Sequence, residues 1–183
     1  MVKLPSDFKY EKYGVTARLV TEDDAEFIVK LRSDIKLSRF IHASNGDVNA
    51  QKQWIRNYKE RERQGIEYYF IFFRYDNPFG LERIYNIDWI HLSYTSGSWI
   101  CVPNLSNNLS VVPVAICQEI AFERLGLLID LYEVRKDNVL VVKFHVNIMK
   151  AIKYGENDSD YLFMINKETR KKSLLNKLIK DNY

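Results

Sequence analysis

The chain has 183 residues, of which 46% are hydrophobic, 14% aromatic and 28% charged, a balance that can bury one sizeable core and excludes a disordered chain. Its 27 Lys and Arg against 24 Asp and Glu leave a net charge of only +3, so charge gives no mandate for nucleic acid or any other polyanion. No apolar run approaches the roughly 20 residues that span a bilayer. Met1 to Tyr10 lacks the hydrophobic stretch of a signal peptide. Cys101 and Cys117 are too few for a disulfide framework and lack Cys-x-x-Cys spacing. A single cytoplasmic domain over 1–183, with reduced thiols and no metal, is therefore expected.

Val15 to Val20 is a short β-prone run, followed by Thr21-Glu22-Asp23-Asp24, where Thr21 can accept from a first-turn amide and the acids suit a helix N-terminus. Phe27, Ile28, Leu31 and Ile35 recur at helical spacing through Lys36. The polar stretch His42 to Asn49 breaks that pattern, and Trp54, Ile55 and Tyr58 define a second helix closing near Gly65. Tyr68 to Phe73 is aromatic and β-prone, and Asp76 to Gly80 supplies turn residues, so a hairpin is predicted with Leu81 to Leu92 returning. Ser96-Gly97 marks a further turn before a strand at Trp99 to Val102.

After Pro103 to Asn108, a helix with Pro113 in its first turn and Ile116, Ile120, Ala121, Phe122 and Leu125 inward ends at Gly126. Leu127 to Val134 is a buried strand. Asp137 or Asn138 opens a helix to about Met149, and Tyr161 to Ile165 is the last strand. Leu174, Leu175, Leu178 and Ile179, set amid basic residues, predict one docked amphipathic helix over about 169–181, outside a core of about 15–167.

The order strand, two helices, three strands, helix, strand, helix, strand resembles the GNAT superfamily of acyl-CoA-dependent N-acetyltransferases. Arg18 to Asp24 followed by Phe27, Leu31 and Arg32 looks like the opening of the branch acting on ribosomal-protein N-termini and amino sugars. Gln53-Trp54-Ile55, Tyr69-Phe70, Gly80 to Ile87, Ser98 to Pro103, Ala121-Phe122, Val134 to Asn138 and Phe144-His145 continue it in order, from Val15 to about Lys167. The resemblance implies an α/β fold with a mixed, mostly antiparallel central sheet flanked by helices and splayed between the fourth and fifth of the predicted strands.

In that family the pantetheine arm of acetyl-CoA pairs with the exposed strand edge, here Trp99, Ile100, Cys101 and Val102. Its pyrophosphate lies on amides opening the next helix, where free N–H groups favour an anion. The family's R/Q-x-x-G-x-G/A turn is replaced by Asn107-Asn108-Leu109-Ser110-Val111-Val112-Pro113. Two readings stand: Asn107, Asn108 and Ser110 substitute side-chain donors, or cofactor binding is weakened or lost. A second departure is Ile148-Met149-Lys150-Ala151, where the family closes its fourth helix with a glycine.

By the same resemblance Asn138 contacts the pantetheine, although Asn is also a common helix cap. His145, seven residues on, stands where the family often has a Tyr that protonates the leaving thiolate; imidazole can be that acid or can anchor the helix. An attacking amine must lose a proton, and Asp88 is the leading candidate base, with Glu67 and Asp34 as alternatives and a solvated strand end as the plainer explanation of Asp88. Ile100 or Cys101 supplies the amide for the oxyanion. Arg39, His42 and Tyr85 lie where the family places acceptor contacts. Cys101, on an apolar strand, reads as a core thiol rather than a nucleophile.

The implied activity is acetyl transfer from acetyl-CoA to a primary amine, on a nucleotide-linked amino sugar or a protein N-terminus, by direct attack in a ternary complex of a monomer or homodimer. Two rivals stand beside it. One is a GNAT-fold binding or regulatory module that has lost catalysis with the glycine-rich turn. The other is a nucleic-acid binder using the aromatic strand and the Arg170-Lys171-Lys172 cluster, which would show steep salt dependence.

Overall fold

A computed structural model describes residues 2–41, 46–106 and 108–180; the predicted contact residues His42 and Asn107 lie outside the described residues. The strands are β1 (Lys9–Lys12), β2 (Val15–Leu19), β3 (Tyr68–Arg74), β4 (Asn77–Asp88), β5 (Ser93–Cys101), β6 (Ile129–Arg135), β7 (Ile152–Glu156) and β8 (Asp160–Asn166). The helices are α1 (Ala25–Ser33), α2 (Val48–Gln64), α3 (Val112–Glu119), α4 (Val139–Asn147), α5 (Lys167–Lys172) and α6 (Leu175–Lys180). All eight strands form one sheet in the order β1-β2-β3-β4-β5-β6-β8-β7, with β5–β6 its parallel pair and the other neighbours antiparallel. This is the mixed, mostly antiparallel sheet that the resemblance implies.

Side chains of β3 alternate between two cores because successive Cβ atoms point to opposite faces. Tyr68, Phe70 and Phe72 join Ile84, Tyr94 and the α3 residues Val112, Ala115 and Ile116, while Tyr69 and Ile71 join Leu81, Ile100 and the helical residues Ile28, Leu31, Ile55 and Tyr58. A strand buried on both faces reads as a continuous apolar run, and burial accounts for the aromatic stretch without base stacking.

Local chemistry explains where the elements stop. Asp24 accepts from Thr21 N–H at 2.7 Å and is gripped by both terminal nitrogens of Arg18, so a 3-10 turn at Glu22–Asp24 precedes α1. That helix ends before the predicted Lys36, because the Asp34 carboxylate takes the amides of Lys36 and Leu37 and leaves Ile35 84% exposed. Asp47 caps α2 through the amides of Asn49 and Ala50, and Gly65 closes it at φ +75°.

Two edge strands escape the sequence pattern: β1, joined to β2 through Tyr13 and Gly14 at positive φ, and the exposed β7. The β3–β4 turn falls on Tyr75-Asp76, both at positive φ, which leaves Pro78 inside a bulged stretch of β4. Ser96-Gly97 is interior to β5 rather than a turn. The predicted single tail helix is two, α5 and α6, broken at the extended Ser173, whose Oγ accepts from Leu175 N–H and donates to the Ile148 carbonyl. Among the described residues no helix is long and apolar enough to cross a membrane.

Candidate active site

The ladder between β5 and β6 covers two positions, Ser93 opposite Ile129 and Tyr94 opposite Asp130. Beyond them β6 pairs only with β8, along its whole length, and the two parallel strands part toward Cys101 and Arg135. On its other side β5 carries a bulge: Leu81 faces Ile100 and Arg83 faces Gly97, so Ser98 and Trp99 stand against Glu82 alone, with Ser98 at φ +56°.

Amides along a strand point alternately to its two edges. Val102 N–H donates to the Phe79 carbonyl at 2.8 Å, on the β4 side. The Cys101 N–H therefore faces the opening and the Ile100 N–H faces β4. Of the two amides proposed for an oxyanion, Cys101 is the one this geometry presents to the gap.

Trp99 stands at the mouth of the gap. Its Nε1–H donates to the Ser110 carbonyl at 2.8 Å, and its ring lies 5.5 Å from that of Phe144 on α4. Cys101 Sγ lies 3.6 Å from the same carbonyl, and burial pushes its thiol up to about 12, as suits a core thiol. Gly80 on β4 makes room there: a Cβ would come within 2.9 Å of Cys101 Sγ and 3.4 Å of Pro113 Cγ.

The segment in place of the glycine turn forms a 3-10 turn at Leu109–Val111 that runs directly into α3, with Pro113 in the first turn of that helix. Asn108 opens it at φ +55°, a left-handed conformation that Asn adopts more readily than most residues. Its side-chain amide points to the Leu178 carbonyl of α6 at 3.4 Å. Asn108 thus supplies the backbone shape of a glycine, and its donor is turned to the tail instead of the turn.

His145 is buried, with Nδ1 2.7 Å from the Tyr132 hydroxyl and its ring against Tyr132, Phe144 and Phe163. Burial lowers it to about 3, so at neutral pH the ring is neutral, and its one remaining N–H is a far weaker acid than an imidazolium. This geometry favours the anchoring role over the acid. Asp88 sits at the end of β4, where its carboxylate takes the Ile90 and His91 amides and lies 2.6 Å from His91 Nδ1. Those bonds lower it to about 2, and so weak a base matches the plainer strand-end reading. Asp34 is committed to its own turn. Asn138 occupies the N-cap position of α4 without a side-chain capping bond, at the open end of the gap. Arg39 is exposed, 4.9 Å from the Phe40 ring.

On the α1–α2 face, buried Glu67 accepts from Arg61 Nε at 2.5 Å and from Arg83 Nε at 2.9 Å. It is held by two cations, a positioning duty. Arg83 in turn stacks on Tyr85 at 4.6 Å and Trp54 at 5.3 Å. Tyr85 crosses β5 at Gly97, where a Cβ would meet the Tyr85 hydroxyl at 3.0 Å and Cε1 at 3.1 Å. The missing Cβ lets the phenol lie over β5, on the strand that borders the opening.

Sequence reasoning missed Gly97, Glu82 and Asp130. An isolated glycine inside a β-prone run signals a close approach as well as a turn, so Gly97 was legible. Glu82 and Asp130, both buried, lie in apolar strands without a motif. Among the described residues no group of three or more His, Cys, Asp and Glu could hold a metal.

No protein-family model and no curated protein matches the sequence. Among solved structures, apo FdhC, a nucleotide-linked sugar GNAT, shares 37% identity over 93% of this chain and 97% of its own, at a TM-score of 0.80. The ribosomal-protein-S5-alanine acetyltransferase from Vibrio fischeri is 16% identical over 88% of this chain and 98% of its own, at a TM-score of 0.75. The spermidine N-acetyltransferase from Vibrio cholerae, in complex with CoA and spermine, is 16% identical over 87% and 99%, at 0.73; at that identity the last two share the fold alone. With a bulged β5 parting from a parallel β6, and an FdhC identity of 37% over nearly both whole chains, this protein belongs to the GNAT family of N-acetyltransferases.

Proposed function

We propose that the protein transfers an acetyl group from acetyl-CoA to the primary amine of a nucleotide-linked amino sugar. The observation that carries this reading is the 37% identity to a nucleotide-linked sugar GNAT over 97% of that chain. The Cys101 edge offers an amide and a carbonyl to the pantetheine arm, and Trp99, Val102 and Asn138 border the same opening. The left-handed Asn108, in a conformation that ordinarily favours glycine, supports an intact pyrophosphate turn over a lost one.

In the reaction the amine nitrogen forms a bond to the thioester carbon and the carbon–sulfur bond breaks. The surplus amine proton goes to solvent, and the thiolate takes one back. The Cys101 N–H suits the developing oxyanion; such a donor is worth on the order of a hundredfold in rate. Tyr85, seated over Gly97 and braced by Arg83, suits a hydrogen bond to the acceptor on the α1–α2 side, where Arg39 also lies.

Calorimetric titration with acetyl-CoA, then thiol release with a nucleotide-linked amino sugar, an N-terminal peptide and a polyamine, tests the reading. Saturable binding and release with the sugar alone are expected. Release with the peptide alone would replace the acceptor, and no binding at millimolar acetyl-CoA would leave a GNAT-fold binding module.

A further inference from the structure

Two buried carboxyls without a part in the chemistry above, Glu82 on β4 and Asp130 on β6, stand in the strands on either side of β5. Asp130 occupies the last ladder position of β6, opposite Tyr94. Its Oδ1 accepts from Ser96 N–H at 2.9 Å and its Oδ2 from Ser96 Oγ at 2.8 Å. The amides of Tyr94 and Ser96 share one edge of β5, because amides two apart along a strand point the same way. The Ser96 N–H is thus the next donor that β5 offers to β6, and a side chain takes it in place of a main-chain carbonyl. Past that substitution the strands separate.

We propose that Asp130 is the positioning residue that opens the cleft: by capturing Ser96 it ends the β5–β6 ladder and leaves the Cys101 edge bare for the cofactor arm. This rests on the acetyl-CoA reading above. A carboxyl reaching across between strands substitutes a side chain's length for a direct ladder bond, and it holds β6 off while leaving no buried amide unpaired.

The surroundings of Asp130 are acidic or neutral. Glu82 on β4, Tyr85 on β4, Tyr94 on β5, Tyr132 on β6 and Cys117 on α3 all feel its charge. Glu82 is itself buried, opposite the β5 bulge, with Oε2 lacking a hydrogen-bond partner among the described residues. Ser96 supplies two hydrogen bonds to the buried carboxyl at position 130, and the Tyr94 side chain on β5 also favours its charged form.

The test compares Asp130→Asn, which keeps an acceptor for Ser96 N–H, with Asp130→Val, which frees that amide to pair with a β6 carbonyl. Amide exchange at Ser96 to Cys101 reads the cleft without ligand, and calorimetry with CoA reads the site. Asp130→Val should slow exchange at Cys101 and weaken CoA about tenfold, while Asp130→Asn stays within about twofold of wild type. Wild-type exchange and affinity in folded Asp130→Val would overturn the proposal, as would equal losses in both variants. If wild type binds no CoA, the acetyl-CoA reading fails and exchange alone decides: slowed exchange at Cys101 supports the wedge, and unchanged exchange removes it. Should Asp130→Val not fold, Asp130→Thr, too short to reach both Ser96 atoms, is read the same way.

Discussion

Lowering the pH should cost this fold stability through His145, and His145→Phe should remove that dependence. The imidazole is lowered from an ordinary 6.5 to about 3 by burial, so the unfolded chain binds its proton first. Stability from the neutral ring is then fully present above pH 6.5 and lost progressively as pH falls toward 3. At about 1.4 kcal/mol per pH unit, the loss between pH 6 and 4.5 is about 2 kcal/mol. Asp130 acts with the opposite sign, because burial raises it from 3.8 to about 7 and its stabilising protonated form is gained as pH falls. Both proteins carry Asp130, so it cancels from the difference between them. His145→Phe also strands the buried Tyr132 hydroxyl, a constant cost of about 1–3 kcal/mol that shifts the curve without tilting it. Urea midpoints at half-unit pH steps read the tilt. A wild-type-minus-variant difference flat from pH 6 to 4.5 would refute the buried neutral ring. A turnover limb near pH 6.5 that vanishes in the variant would restore His145 as the acid.

Gly97→Ala places a Cβ about 3.0 Å from the Tyr85 hydroxyl, and displacing a positioned group should lower kcat/KM for the amine about tenfold with CoA affinity unchanged; initial velocities and calorimetry separate the two. Cys101, pushed up to about 12, and the buried Cys117 should resist alkylation at pH 8 in the native protein and react fully in urea, so rapid labelling of either native thiol would contradict their burial. Glu67→Ala leaves Arg61 and Arg83 without their shared carboxylate and should destabilise by about 3 kcal/mol in urea titrations, with Glu67→Gln costing less.

Regular elements were legible because burial imposes a period on sequence. The α2 helix announces itself by Trp54, Ile55 and Tyr58 and stops at Gly65, which is at φ +75°; β3 announces itself by its aromatic run. The edge strands β1 and β7 carry little of that period because almost nothing buries them. The tail was overread: Leu174 shares the apolar stripe in sequence yet is 43% exposed, because Ser173 breaks the helix to reach Ile148. Around the site, strand order and the Cys101 edge followed from the resemblance. The tertiary partners did not: nothing in Phe144-His145 says that the ring will bond to Tyr132, and nothing in Asn86-Ile87-Asp88 says that the carboxylate will be spent on the next turn.

The residues that best fit a functional role are those at which β5 departs from an ideal strand. Ser98 takes a left-handed conformation to make the bulge, Gly97 gives up its side chain to Tyr85, and Ser96 gives up its ladder partner to Asp130. Each is a local defect by the rules of a regular sheet, and each removes something a neighbouring strand would otherwise have filled. Together they let one strand stay paired with β4 on either side of its bulge while losing β6 beyond Tyr94, within nine residues. A periodic apolar pattern could not encode that asymmetry, since periodicity specifies faces and the cleft is made at an edge.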